Sequence, residues 1–315
     1  MKLTFLGTGT STGVPSIGCE CETCTSDDPR DKRLRVSVIV EHAGRTILVD
    51  TSADFRQQAL RFGLKRLDAV LITHCHADHI FGLDDIRPLN FRFGALGVYA
   101  NERAWVDIKR IFQYIFEPSH FGGGLPQVIP YTVYHGAPFC IGPELEITPL
   151  EVIHGRLPVM AYRFNDFAYL TDLSDIPAET IDALQDLDVL VLDCLRFREH
   201  PTHLWVDRAL EYIELIRPRR TFFTHIAHDI KHGRDSARLP AGVEFAYDGL
   251  VVEALTIADC RLPIEQSSDG TQIYNRQSKI DNFLCVSFTA PTTRKSSAQQ
   301  CSRSACSTVY TWATS

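Results

Sequence analysis

The sequence predicts an α/β protein of two packed sheets with helices on the outside. Three observations carry this. Residues 35–41 and 45–50 alternate apolar and polar around His42-Ala43-Gly44, as a hairpin does. The runs LDAVLIT (67–73) and LDVLVLD (187–193) are short, apolar and bounded by polar residues, as strands buried on both faces are. Helical patterns separate several of these strands, so the chain contains both hairpins and strand–helix alternations.

The elements follow in order. Residues 3–8 read as a strand entering a Gly/Ser/Thr turn, and 53–62 as a helix stopped by Gly63. Residues 102–116 fit one amphipathic helix. Strands are expected at 145–153 and 159–171, the latter turning at Asn165-Asp166. A helix at 178–186 precedes the strand at 187–193, and a helix at 204–216 precedes a strand at 220–224. Two short strands around Asp248-Gly249 close the patterned region.

The domain is expected over residues 1–258. The 315-residue chain carries a formal charge of -7, and residues 259–315 hold 6 Lys+Arg against 4 Asp+Glu, so 1–258 carries -7 - (+2) = -9. That balance argues against a nucleic-acid-coating protein. The 259–315 segment is rich in Ser and Thr, lacks sustained periodicity, and reads as a disordered or accessory tail. No apolar run reaches the roughly 20 residues of a membrane helix. The N-terminus lacks a long apolar segment and a cleavage site, so a cytoplasmic location is expected.

In a reducing compartment the tight C-x-C-x-x-C cluster of Cys19, Cys21 and Cys24 points to metal. Cys75, Cys140, Cys194 and Cys260 read as small buried apolar residues. Cys285, Cys301 and Cys306 have no histidine within the tail to complete a site.

Residues 73–79 read Thr-His-Cys-His-Ala-Asp-His directly after an apolar strand. Imidazole and carboxylate are ligands of zinc and related divalent ions, so His74, His76, Asp78 and His79 form a candidate metal site. Polar groups also end three other apolar runs: His154 after LEVI, Asp172 after AYLT and His225 after TFFT. Asp50 ends TILVD in the same way. Carboxyl ends of strands are where open sheets place functional side chains. Singly, His154 is as well read as a turn cap, Asp172 as a helix N-cap and His225 as a surface histidine.

Together, the order Asp50, His74-x-His76-x-Asp78-His79, His154, Asp172, His225 resembles the metallo-β-lactamase superfamily over residues 1 to about 258. The resemblance implies a four-layer αββα sandwich with two catalytic divalent ions, Zn or Mn, at one edge. His74, His76 and His154 would hold one ion and Asp78, His79 and His225 the other. Asp172 would bridge them, and Asp50 would brace the motif loop. Cys75 is expected to point away from the ions. The N-terminal stretch GTGTSTGVPSIGCECETCTSDDPRDKRLR resembles the PhnP-type cyclic phosphodiesterases. In that branch three clustered cysteines and a later histidine hold a structural zinc, which implies Cys19, Cys21, Cys24 and His228 here. His203, in HPTHLWVDRAL, resembles the proton-donating histidine of PhnP-type enzymes and ribonuclease Z, with His200 the weaker choice.

The implied activity is hydrolysis of a small cyclic phosphate, such as a phosphoribosyl 1,2-cyclic phosphate. The metal pair, with Asp78 in its machinery, would supply the attacking hydroxide, and His203 would act as general acid. Arg87 or Arg156 could hold a substrate phosphate, although either reads equally well as a surface residue. The same site would also suit a thioester or lactone hydrolase, or a ribonuclease Z-like nuclease, although no basic RNA-gripping arm is present. A non-catalytic PqqB-like carrier is the remaining alternative. The expected partner is a small phosphodiester, with no membrane and no nucleic acid, and the chain is compatible with a homodimer.

Overall fold

The computed structural model describes residues 1–117 and 124–253. The expected boundary near 258, and everything assigned to 259–315 including Cys260, Cys285, Cys301 and Cys306, lie outside the described residues.

Fourteen strands are described. The first six are β1 (Lys2–Gly7), β2 (Ser37–His42), β3 (Arg45–Val49), β4 (Ala69–Leu71), β5 (Leu96–Ala100) and β6 (Val128–Thr132). There follow β7 (Phe139–Cys140), β8 (Glu146–His154), β9 (Leu157–Phe164), β10 (Phe167–Leu170), β11 (Val189–Asp193), β12 (Arg220–Thr224), β13 (Val243–Phe245) and β14 (Val251–Glu253). They form two seven-stranded sheets, β14-β1-β2-β3-β4-β5-β6 and β13-β12-β11-β10-β9-β8-β7. The helices are α1 (Phe55–Arg61), α2 (Ala77–Ile80), α3 (Arg87–Phe93), α4 (Glu102–Ile111), α5 (Gln113–Phe116), α6 (Ala178–Ala183), α7 (Val206–Ile216) and α8 (His232–Asp235).

The two-residue period of a strand explains the layering. On β2, Val38 and Val40 face the core between the sheets, while Ile39 faces the cluster that holds Phe55, Trp105 and Ile108 of α1 and α4. On β11, Val189 and Val191 face the same central core, and Leu190 and Leu192 face Ala209, Tyr212 and Ile216 of α7. Strands buried on both faces read as continuous apolar runs, and each sheet is covered outside by helices. The fold is therefore the expected αββα sandwich.

Three elements differ from expectation. The helix over 102–116 breaks at Phe112, which takes φ -108° and ψ 40° and packs its ring into the outer core. The two strands around Asp248-Gly249 do not pair with each other. β13 runs parallel to β12 and β14 antiparallel to β1, so this turn passes from one sheet to the other. Cys140, expected to be buried, is exposed because the two-residue β7 forms a sheet edge, whereas Cys194 is fully buried as expected. Cys75 is intermediate in exposure.

Candidate metal centre

In each sheet four strands run parallel, β3-β4-β5-β6 and β10-β11-β12-β13. Asp50 follows β3, the 73–79 loop follows β4, Asp172 follows β10, Asp193 ends β11 and His225 follows β12. His154 ends β8. Asp50, Asp172 and His225 all hold positive φ, at 63°, 54° and 58°. Non-glycine residues rarely adopt that conformation, and it costs of order 1–3 kcal/mol, so the surrounding fold must impose it. Here it turns each side chain sharply off the strand end.

The structure brings the predicted residues together. His74, His76, His154 and Asp172 offer ligand atoms all within 4.8 Å of one another, and so do Asp78, His79, Asp172 and His225. Asp172 belongs to both sets. Its Oδ2 lies 3.6 Å from His74 Nε2 and 3.3 Å from His79 Nε2, and its Oδ1 lies 3.1 Å from His225 Nε2.

The donors fit divalent ions. Asp78 Oδ2, His79 Nε2 and His225 Nε2 are buried without a hydrogen-bond partner among the described residues. Leaving such a group unsatisfied costs about 1–3 kcal/mol, and three converge here. Asp78 Oδ2 is 3.3 Å from His79 Nε2 and 3.6 Å from His225 Nε2. Ligands about 2.0–2.2 Å from a tetrahedral ion stand ~3.3–3.6 Å apart, so a cation among them would satisfy all three atoms. Burial alone would lower His79. The carboxylates of Asp172, Asp78 and Asp50 outweigh it and push the imidazole well above its ordinary value. The group around His79 is thus short of positive charge.

Asp50 stands behind the ligands, fully buried. It accepts from Thr73 N (2.8 Å) and Thr73 Oγ1 (2.7 Å), and its Oδ2 is 2.7 Å from His79 Nδ1. That bond leaves His79 Nε2 to face the ion site. Cys75 points away, its thiol donating to Ala104 O at 3.3 Å.

His203 lies beside the ligands, with its ring 4.7 Å from those of His154 and His225. Sequence reasoning missed what holds it. Asp193, fully buried, lies 3.4 Å from His203 Nδ1 and 3.5 Å from His225 Nδ1, and accepts from Leu204 N at 2.9 Å. Burial alone would lower His203, but the Asp193 carboxylate outweighs it and raises the pKa. Asp193 ends the apolar run VLVLD, the same signal that singled out Asp50 and Asp172. His200 is 5.2 Å from His203, ring to ring, and burial lowers its pKa.

A second donor set lies apart. The sulfurs of Cys19, Cys21 and Cys24 stand 3.2, 3.4 and 3.5 Å from His228 Nδ1. Three thiols and one imidazole at these separations match a closed tetrahedral zinc site. Burial raises Cys21, but the Cys24 N–H and the neighbouring side chains outweigh it and bring the thiol to about 6. Cys24 is pushed up to about 11, chiefly by burial. A cation is what would let all three sulfurs be thiolates at neutral pH.

Residues 45–226 match the model of the beta-lactamase superfamily domain. The chain belongs to the metallo-β-lactamase superfamily. A crystal structure described as a new diphosphatase from the PhnP family places it in the PhnP-type branch. It is 44% identical, with a TM-score of 0.75, over 80% of this chain and 97% of that one. A Porphyromonas gingivalis protein named octanoyltransferase is 40% identical over 253 residues, which are 79% of this chain and 51% of that protein. The chain thus spans about half the length of that relative. A ribonuclease Z of Bradyrhizobium diazoefficiens is 39% identical over 83 residues, 26% of this chain and 22% of that protein. The two sets that share Asp172 lie at the ends of strands from both sheets. Among the described residues no helix is long and apolar enough to cross a membrane.

Proposed function

We propose that this protein is a dinuclear metal-dependent hydrolase that cleaves a P–O bond in a small disubstituted phosphate. The observation that carries this reading is Asp172, which belongs to both donor sets, its Oδ2 lying 3.6 Å from His74 Nε2 of one and 3.3 Å from His79 Nε2 of the other. When bound, a pair of divalent ions, Zn or Mn, would polarise phosphoryl oxygens and generate a nucleophile from water at neutral pH. His74, His76 and His154 would hold one ion and Asp78, His79 and His225 the other. The Cys19, Cys21, Cys24 and His228 set would hold one structural zinc, clipping the N-terminal loop to the segment that carries His225.

The chain's own residues supply the rest. Asp193 engages His203 Nδ1, which leaves Nε2 to carry a proton to the departing oxygen. The 73–79 loop, which follows β4 of one sheet, is tied at its start to β9 of the other, since Tyr162 OH donates to Ile72 O at 2.8 Å and Met160 N to Thr73 O at 3.0 Å. Such bracing keeps the site preorganised.

The first substrate reading is a five-membered cyclic phosphate, such as a phosphoribosyl 1,2-cyclic phosphate, opened to a monoester. It rests on the N-terminal likeness to PhnP-type cyclic phosphodiesterases. The 44%-identical diphosphatase favours a second reading, cleavage of a diphosphate link, which is also a disubstituted phosphate. The metal-loaded protein should be assayed on a ribose 1,2-cyclic phosphate, an asymmetric diphosphate, a thioester and a lactone. Turnover of either phosphate above the other two supports the reading, and turnover confined to the thioester or lactone overturns it.

A further inference from the structure

Thr73, the residue that precedes His74, is fully buried. Its Oγ1 lies 2.7 Å from Asp50 Oδ2, 3.1 Å from His74 Nδ1 and 3.4 Å from His79 Nδ1. The residue is held at its other polar groups as well. Its N–H donates to Asp50 Oδ1 at 2.8 Å, and its carbonyl accepts from Met160 N at 3.0 Å. A β-branched side chain is stiff at χ1, so the hydroxyl has a set direction.

A hydroxyl has one hydrogen to donate and two lone pairs with which to accept. The Asp50 carboxylate can only accept, so the Thr73 hydrogen points to it. Toward His74 the hydroxyl is then an acceptor, and the hydrogen of that ring must sit on Nδ1. A histidine that binds metal must be neutral, so Nε2 keeps its lone pair. It is Nε2 that faces Asp172 Oδ2, at 3.6 Å. His79 Nδ1 reaches the same Oδ2 of Asp50 directly, at 2.7 Å. One buried carboxylate thus directs a ligand of each candidate ion, His79 by contact and His74 through Thr73. Two further ligand histidines have groups in the corresponding place: His154 Nδ1 donates to Thr202 O at 2.7 Å, and His225 Nδ1 lies 3.5 Å from Asp193 Oδ1.

We infer that Thr73 is a positioning residue for the first candidate ion. Its hydroxyl relays the Asp50 carboxylate to His74 and sets the tautomer in which that ring can bind a cation through Nε2. The inference rests on the two-ion reading above and is independent of which phosphate is cleaved. Valine has the shape of threonine without the hydroxyl, so Thr73→Val leaves His74 Nδ1 without this acceptor. Losing a group that orients a ligand histidine costs about 10–100-fold in metal affinity.

Zinc affinity should be measured on the full chain by competition with a chelator in two backgrounds. His225→Ala leaves the set of His74, His76 and His154, and His154→Ala leaves the set of Asp78, His79 and His225. Adding Thr73→Val should raise Kd about 10–100-fold in the first background and less than threefold in the second. Thr73→Ser should keep the first value within threefold of its parent. Equal losses in the two backgrounds, no loss in the first, or a serine variant as weak as the valine one overturns the inference. Imidazole 15N resonances of the metal-free wild type read the tautomer without any ion. His74 should be protonated at Nδ1, and a His74 ring protonated at Nε2 overturns the relay. If the wild type binds fewer than two ions beyond the cysteine site, the two-ion reading fails on its own. The tautomer then decides for Thr73, as it does if Thr73→Val fails to fold.

Discussion

Asp50 Oδ2 lies 2.7 Å from His79 Nδ1, and both side chains are fully buried. The carboxylate fixes the ring so that Nε2 faces Asp78 and Asp172. Asp50→Asn keeps the shape but loses the charge. Affinity at the second ion position should fall about 10–100-fold, the usual cost of losing a group that orients a ligand histidine. Competition with a chelator followed by elemental analysis checks this, and unchanged retention of two ions per chain outside the cysteine site counts against it.

His203→Ala should leave the metal content intact and lower kcat by about 10²–10⁴-fold on substrates with an alkoxide leaving group. The loss should be far smaller for a p-nitrophenyl ester, whose leaving group needs no proton. Equal losses on both would remove the general-acid role.

Asp193→Asn should act on two histidines at once, since the carboxylate lies within 3.5 Å of Nδ1 of both His203 and His225. It is expected to lower kcat and to weaken one ion, whereas His203→Ala lowers kcat alone. Metal titration of the two variants side by side separates them, and identical metal affinities would mean that Asp193 does not support His225.

His228→Ala opens the cysteine site. One zinc equivalent should be lost, and the melting temperature should drop by several degrees, because a structural zinc contributes folding energy directly. A variant that keeps full zinc content and stability would show that the three cysteines are not a zinc site with His228.

His232 gives a pH prediction away from both donor sets. Burial, then the charges of Arg33 and Arg30, hold its pKa down at about 4. An unfolded histidine titrates near 6.5, so the unfolded chain takes up this proton first. Stability should fall as pH drops from ~6.5 toward 4, and the effect should vanish above that window. Asp248 acts oppositely, since burial pushes it up to about 6 and its protonation favours the folded state over ~4–6. Comparing thermal melts with those of His232→Gln between pH 7.5 and 5 cancels Asp248 and metal loss. The wild type should lose more stability than the variant on acidification, and parallel slopes would refute the assignment.

Much of the site was legible because its signals are local. The 74–79 motif is four donors in six residues, and Asp50, His154, Asp172 and His225 each end an apolar run. Asp193 carries the same mark but was read only as the end of a strand. α3, β5 and β6 are not among the elements expected from the sequence. β6 places Pro130, Tyr131 and Thr132 on an exposed sheet edge, where no alternation of burial is required.

The sequence by itself determined the layers, because a strand buried on both faces must be apolar throughout and a helix on one face must alternate with it. It also determined the donor types, because ligand chemistry is written in residue identity. Only the tertiary structure decided that Asp193 reaches two histidines, and it is the packing that closes the 209-position gap between Cys19 and His228, a pairing that the resemblance implied and local pattern did not. Local periodicity constrains which way a side chain points from its own element, whereas these meetings depend on how distant strand ends are packed edge to edge, which no short stretch of chain encodes.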